Sequence, residues 1–164
     1  MTTYYTEVDS PLQPILLTSD GAALTGLFMV SHKGGPEVAP NWVRDDQASP
    51  FPEAARQLTA YFAGHLTAFD LPLSAPGTVF QQKVWEELRR VPHGTTVSYG
   101  ELARRIGQPT ACRAVGLANG RNPISIIVPC HRVVGVNGKL VGYAGGLSQK
   151  EALLRLERLP NLLP

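Results

Sequence analysis

Cys130, His131 and Glu157 are the residues of this chain whose types and spacing could do chemistry together. A thiol next to a group able to take its proton suits nucleophilic attack. Taken alone, a Cys-His pair is more simply a small buried hydrophobe beside a satisfied core histidine. The pair sits in Ser125-Ile126-Ile127-Val128-Pro129-Cys130-His131-Arg132-Val133-Val134, where two β-branched runs read as strand segments. Pro129 stiffens the backbone at the cysteine and removes a donor from any ladder. Neighbours in an extended strand point to opposite faces, so direct contact between the two side chains is not expected. Glu157 shares a helical face with Leu153 and Leu154. A carboxylate on a leucine-lined face needs a partner, because burying it alone is costly. His131 meets that need; solvent or an arginine would meet it too.

The elements that must position these residues follow from local signals. A final helix is expected to open with Ser148-Gln149-Lys150-Glu151, which has the form of a capping box. Val136-Asn137-Gly138-Lys139 predicts a hairpin turn after the cysteine strand, followed by a glycine-rich loop around Tyr143. Upstream, a helix is expected from Thr78 to Arg90, with Phe80, Val84, Trp85 and Leu88 on one face. Ser98 would cap a short helix from Tyr99 to Ile106, stopped by Gly107. A turn at Gln108-Pro109-Thr110 leads to a second short helix, Ala111 to Asn119, and the two together resemble a helix-turn-helix. The second helix is small-sided (Ala111, Ala114, Gly116, Ala118), with Arg113 as its one long probe. Such a helix could approach a surface closely, or it could pack tightly inside the protein.

In the first half, Ile15-Leu16-Leu17 and the run from Ala22 to Val30 read as a hairpin joined through Ser19-Asp20-Gly21. A polar, irregular loop is expected from His32 to Pro50, then a helix from Pro52 to Ala63 stopped by Gly64. His65 to Gly77 carries two prolines and no periodicity, as a linker would.

Composition narrows the class. The chain has 164 residues, enough for one medium domain or two small ones. No segment approaches the apolar length of a membrane span, and the opening residues carry no secretory pattern. Cys112 and Cys130 are the only cysteines, with no metal-ligand spacing. Cytoplasm is the expected compartment. Net charge is +2, but residues 1–75 hold three basic groups against eight acidic ones, while residues 76–164 hold twelve against five. Nine of those twelve are arginine, which points to a nucleic-acid partner for the second half.

The motifs together closely resemble one family, the O6-alkylguanine-DNA alkyltransferases, also called methylated-DNA–protein-cysteine methyltransferases. They run from Phe80-Gln81-Gln82-Lys83-Val84-Trp85 through Ser98-Tyr99-Gly100, Arg113-Ala114-Val115-Gly116 and Asn122-Pro123. They continue through Pro129-Cys130-His131-Arg132-Val133 and Gly142-Tyr143-Ala144-Gly145-Gly146 to Glu157. The resemblance covers residues 76–164; in the first half it rests on Ser10-Pro11-Leu12 and Tyr61-Phe62-Ala63-Gly64.

The resemblance implies an α+β protein. A small N-terminal α/β (ribonuclease H-like) domain, residues 1–75, would precede a winged helix-turn-helix-like DNA-binding and alkyl-transfer domain, residues 76–164. It implies double-stranded DNA bound through the minor groove, base flipping, and transfer of an alkyl group from O6-alkylguanine to Cys130. O4-alkylthymine is a second candidate substrate. By the same resemblance, His131 would draw the thiol proton through a water, oriented by Glu157. Tyr99 would aid flipping and Asn122 would support the turn before the site. Arg113 would fill the gap in the stack, with Ala114 and Gly116 on the docking helix. Val133, Tyr143 and Ala144 would contact the base. No metal and no cofactor is expected, and the protein should act as a monomer, with cooperative binding along DNA left open.

Three other readings compete. A recognition-only relative typically has tryptophan at the cysteine position, and Cys130 counts against it. A helix-turn-helix regulator leaves Cys130 and Glu157 unexplained. A Cys-His-Glu hydrolase would turn over acyl substrates, whereas alkyl transfer consumes the protein.

Overall fold

The computed structural model describes residues 1–29, 37–143 and 146–158. The fold is α+β, with a sheet in the N-terminal half and a helical C-terminal half. Strands β1 (Tyr4–Val8), β2 (Ile15–Ser19), β3 (Leu24–Met29) and β4 (Val43–Arg44) form one sheet in the order β3-β2-β1-β4. β2 pairs antiparallel with both β1 and β3, and β4 pairs parallel with β1. The expected hairpin is β2–β3. Its turn is held by Asp20, whose carboxylate accepts from the Ala22 and Ala23 amides, with Gly21 at φ +100°. β1 has no counterpart in the sequence reading.

Helix α1 (Phe51–Phe62) carries a proline in its first turn and buries Phe51, Ala54, Leu58 and Tyr61, one apolar stripe at helical spacing. The segment after it is no free linker. Asp70 is bonded to Gln57 through both its backbone amide and its carbonyl, and Pro72 and Ser74 bond to Leu24 at the outer side of β3.

α2 (Val79–Leu88) opens with a capping box in which Thr78 and Gln81 satisfy each other's backbone amides. Val84, Trp85 and Leu88 are buried, and the Trp85 indole donates to the Ala118 carbonyl at 2.8 Å. α3 (Tyr99–Arg105) is capped by Ser98 as expected, and Gly107 at φ +78° lets the chain leave it. α4 (Cys112–Gly120) completes the helix-turn-helix. β5 (Val97–Ser98) and β6 (Val133–Val134) form a small parallel ladder, and α5 (Leu147–Arg158) closes the described chain.

Several local expectations need correction. Ser125 to Val128 is not a strand; it is a set of tight turns, with Ile126 at φ +72° and amide-to-carbonyl bonds from Ile127 to Ser125 and from Val128 to Ile124. A short apolar run is compatible with any fully buried backbone, and here the Asn122 side chain and Pro129 impose the turns. Cys130–Arg132 is one turn of 3-10 helix, so only Val133–Val134 keeps the strand reading. The Asn137-Gly138 turn forms, with both residues at positive φ, but no paired strands flank it among the described residues. α5 begins at Leu147, ahead of Ser148, and the Gly146 carbonyl accepts from Gln149 and Lys150. Ser148 therefore lies within the first turn rather than capping it. Val30, part of the His32 to Pro50 loop, and Ala144-Gly145 lie outside the described residues.

One apolar core runs through both halves, from Ile15 and Leu17 to Leu153 and Leu156. The halves are also stitched by backbone: the Leu27 amide donates to Pro123 at 2.8 Å and the Ser125 amide to Leu27 at 3.2 Å. This extends β3 by one rung and anchors the turns that lead to Cys130. Among the described residues no helix is long and apolar enough to cross a membrane.

Candidate active site

Cys130 is held by turns on both sides. Its amide donates to Val128 at 2.8 Å, and its carbonyl accepts from the Val133 amide that starts β6. Asn122, at the end of the α4 turn, donates its side-chain amide to Val128 at 2.8 Å and accepts from the Ile124 amide at 3.0 Å. The thiol lines a cavity of about 140 Å³ together with Tyr99, Asn119, Asn122, Ser125 and Tyr143. Gly116 and Gly120 of α4 form one wall. An ideal Cβ on Gly116 would stand 3.8 Å from the Tyr99 ring, an ordinary contact, so α4 lies close against Tyr99 there. The Tyr99 hydroxyl donates to the Val141 carbonyl at 3.3 Å, which links α3 to the segment carrying Tyr143.

Beside the cysteine, His131 is fully buried, and its Nε2 lies 2.7 Å from Oε2 of Glu157. Arg132 grips the same carboxylate, Nε to Oε1 at 2.8 Å and Nη2 to Oε2 at 3.0 Å, and its Nη1 donates to Val91. Tyr61 adds a fourth donor to that carboxylate, its hydroxyl 2.6 Å from Oε2. Burial alone would raise the Glu157 pKa. The hydrogen bonds of His131 and Arg132 and the guanidinium charge outweigh it and hold the group ionised far below the usual carboxylate range. Burial depresses the His131 pKa, and Glu157 only partly restores it.

The pair is therefore a neutral imidazole donating from Nε2 to a carboxylate, which can only accept. That tautomer leaves the lone pair on Nδ1, which is buried and has no protein partner among the described residues. Burial pushes the Cys130 thiol up, while Asn122, the Lys150 ammonium and Ser125 pull it down less strongly. The resting thiol is thus protonated, in a site that also holds a neutral base. This arrangement can generate a thiolate on demand in an enclosed pocket.

The outer face of α4 is exposed at Cys112, Arg113, Ala114, Leu117 and Arg121. The small-sided helix is therefore a surface helix with one face free. Two of the twelve basic groups of this half, Arg132 and Lys150, are instead turned into the interior.

Comparison with known proteins bears on this arrangement. Residues 79–159 match the model of the 6-O-methylguanine DNA methyltransferase DNA-binding domain, and residues 3–75 match the ribonuclease-like domain of the same enzymes. The methylated-DNA–protein-cysteine methyltransferase of Methanosarcina acetivorans is 54% identical over 94% of this chain and 97% of its own. The chain belongs to the 6-O-methylguanine DNA methyltransferase family. Its Mycobacterium bovis relative, also a methylated-DNA–protein-cysteine methyltransferase, is 53% identical over 94% of this chain and 92% of its own. The crystal structure of Mycobacterium tuberculosis OGT in complex with DNA superposes with a TM-score of 0.87 at 52% identity, covering 94% of this chain and 92% of that one. The O6-methylguanine-DNA methyltransferase of Pyrococcus kodakaraensis keeps a TM-score of 0.67 at 25% identity, over 95% and 99% of the two chains.

For this methyltransferase family member, Cys130, Tyr99, Asn122, Gly116 and Tyr143 all line one cavity. Val133 is buried in the strand just after the cysteine. His131 and Glu157 meet as anticipated, and Arg132 joins them, so the two partners weighed for Glu157 are both present. Arg113 and Ala114 stand apart from the cavity on the exposed face of α4. Ala144 lies outside the described residues.

Sequence reasoning missed Asn119, Ser125, Lys150 and Tyr61. Lys150 is fully buried, and its ammonium donates to the carbonyls of Val141 at 2.9 Å and Gly142 at 3.2 Å. A signal for it was available: Lys150 stands three, four and seven positions before Leu153, Leu154 and Glu157, on the same helical face.

Proposed function

We propose that this protein repairs DNA by direct reversal, transferring the alkyl group of O6-alkylguanine irreversibly to Cys130. One observation supports this reading most: the motif thiol lines a cavity walled by α4, while the adjacent His131, kept neutral by burial, is oriented by Glu157. The thiol proton passes to His131 by way of a water, as the family resemblance implies. The thiolate attacks the alkyl carbon, the carbon–oxygen bond breaks, and guanine leaves as the bonding electrons move onto O6. The product is a thioether with no easy route back, so one molecule repairs one lesion. O4-alkylthymine presents the same kind of carbon and is a second substrate.

Double-stranded DNA binds along the exposed face of α4 through the minor groove, where Ala114 and Gly116 allow close approach. A thiol cannot reach an O6 substituent inside a stacked duplex, so the damaged nucleotide must leave the helix. Arg113 fills the gap left in the stack. Tyr99 assists flipping and, with backbone groups near Tyr143 and Ala144, stabilises the departing base. The carbonyls near Cys130 and Val133 accept its exocyclic amine, and Asn122 holds the turn that carries the cysteine. Residues 76–164 form the DNA-binding and transfer domain, and residues 1–75 the domain that supports it. The protein acts as a monomer in the cytoplasm, where its two free thiols stay reduced.

The test is intact-protein mass and peptide mapping after incubation with duplex DNA holding one O6-methylguanine. The expected result is one methyl in place of hydrogen on Cys130 and no more, with Cys130→Ala gaining none while still binding the duplex. Tight lesion binding without mass gain would reject transfer in favour of recognition alone.

A further inference from the structure

Tyr61 lies on the buried face of α1, in the half of the chain that carries neither Cys130 nor α4. Its ring is fixed by Phe62 and Phe69, with centroids 5.2 Å and 5.3 Å away, and by the edge of His93 at 6.1 Å. Its hydroxyl reaches 96 residues along the chain to Oε2 of Glu157, at 2.6 Å. That is the same oxygen that holds His131 Nε2 at 2.7 Å. We infer that Tyr61 is a positioning residue for the proposed transfer: it fixes the Glu157 carboxylate and tunes its grip on His131, which makes the N-terminal half part of the reactive apparatus. The inference rests on the reading of Cys130, His131 and Glu157 given above.

The chemistry runs through one shared acceptor. A carboxylate oxygen that accepts from several donors has less charge to offer each of them, so every donor on Oε2 competes with the imidazole. Burial and the charge on Glu157 hold the phenol pKa far above its ordinary value, so Tyr61 acts only as a donor. The groups that face His131 are Glu157 and Lys150 from α5, Arg132 beside it, and Tyr61 through the carboxylate. His93 meets the Tyr61 ring edge-on and lines a separate cavity with Arg132. Removing the hydroxyl alone leaves the ring packing in place. Oε2 then binds His131 more strongly, which favours the imidazolium and, on the acid side, leaves fewer molecules with a histidine free to take the thiol proton.

The experiment combines an NMR titration of the His131 ring with methyl-transfer rates on an O6-methylguanine duplex across pH. In Tyr61→Phe the His131 midpoint should rise by about half a unit. The acid limb of the rate profile should move up with it, so transfer slows by about threefold below the His131 midpoint and little near neutral pH. Duplex affinity should not change. Site-specific 3-fluorotyrosine at position 61, a stronger donor of nearly the same shape, should move the midpoint the other way. In a Glu157→Gln background Tyr61→Phe should cost nothing further.

An unmoved His131 midpoint in both variants, or a rate loss of equal size at every pH, overturns the inference and leaves Tyr61 a plain packing residue. A wild-type protein that transfers no methyl to Cys130 overturns the proposed reaction instead; the His131 titration still decides whether Tyr61 tunes the imidazole.

Discussion

Asn122 ties the exit of α4 to the approach to Cys130, donating to the Val128 carbonyl at 2.8 Å while accepting from the Ile124 amide at 3.0 Å. Both backbone groups are buried, so neither can turn to water. Asn122→Ala strands a buried amide and a buried carbonyl, each costing about 1–3 kcal/mol. Urea unfolding should show a loss of about 2–6 kcal/mol for the two together. Methyl transfer should slow even at temperatures where the variant stays folded, because the turns that aim the thiol loosen. Wild-type kinetics in a folded Asn122→Ala protein would separate the turn from the chemistry.

Arg132 should matter far more to stability than any surface arginine. Its guanidinium is buried on Glu157, whereas Arg104 pairs with Glu101 in solvent. Arg132→Met leaves a carboxylate short of charge compensation, a change that typically costs about 3–5 kcal/mol. Arg104→Met should cost no more than about 1 kcal/mol. Parallel denaturant melts of the two variants check the contrast.

Acid should destabilise the protein in two stages. Burial lowers the His131 pKa from its ordinary 6.5, so below that pH the unfolded chain takes up a proton that the folded one refuses. The unfolded state then binds more protons, and stability falls as pH falls. Glu157 has the same sign: its folded pKa lies below the ordinary 4.5, so stability present above that value is lost as pH drops through it. Urea midpoints measured from about pH 8 down to about pH 3 should show both declines. The lower one should shrink in Glu157→Gln. A midpoint unchanged between about pH 8 and about pH 5 would contradict a buried neutral His131.

Arg113→Ala should slow repair of duplex DNA far more than reaction with a free O6-substituted guanine base. The side chain is exposed on α4 and lines no part of the thiol cavity, so under the proposed reaction it serves extrusion rather than transfer. Equal losses on both substrates would contradict a role in flipping. Duplex affinity should also fall steeply with salt, by about 0.9 in logarithmic slope for each phosphate contact.

Legibility in the sequence followed how local each signal was. Ser98 and Gly107 bracket α3 as expected, because a cap and a stop act within one turn. The Asp20-Gly21 turn placed β2 and β3 for the same reason. β1 was legible in principle, since Tyr4, Thr6 and Val8 alternate with Tyr5 and Glu7 as strand residues do. Ser125 to Val128 misled because its backbone follows the Asn122 side chain rather than β propensity. Ser148 misled because the Gly146 carbonyl does the work assigned to it. The Cys130, His131 and Glu157 set was legible once Glu157 was seen on an apolar face. Tyr61 was not, because nothing within its own helix announces a partner 96 residues away.

The enclosure of Cys130 has a consequence for the protein's working life. Its residue is 5% exposed and its thiol is held protonated by burial. Exposed thiolates attack peroxides and disulfides and are consumed by them, so an enclosed neutral thiol reacts slowly with both. Under the proposed reaction each thiol is spent once, and any lost to a stray oxidant is lost to repair. Burial thus acts as a preservative: molecules made before an alkylating insult are still loaded when it comes.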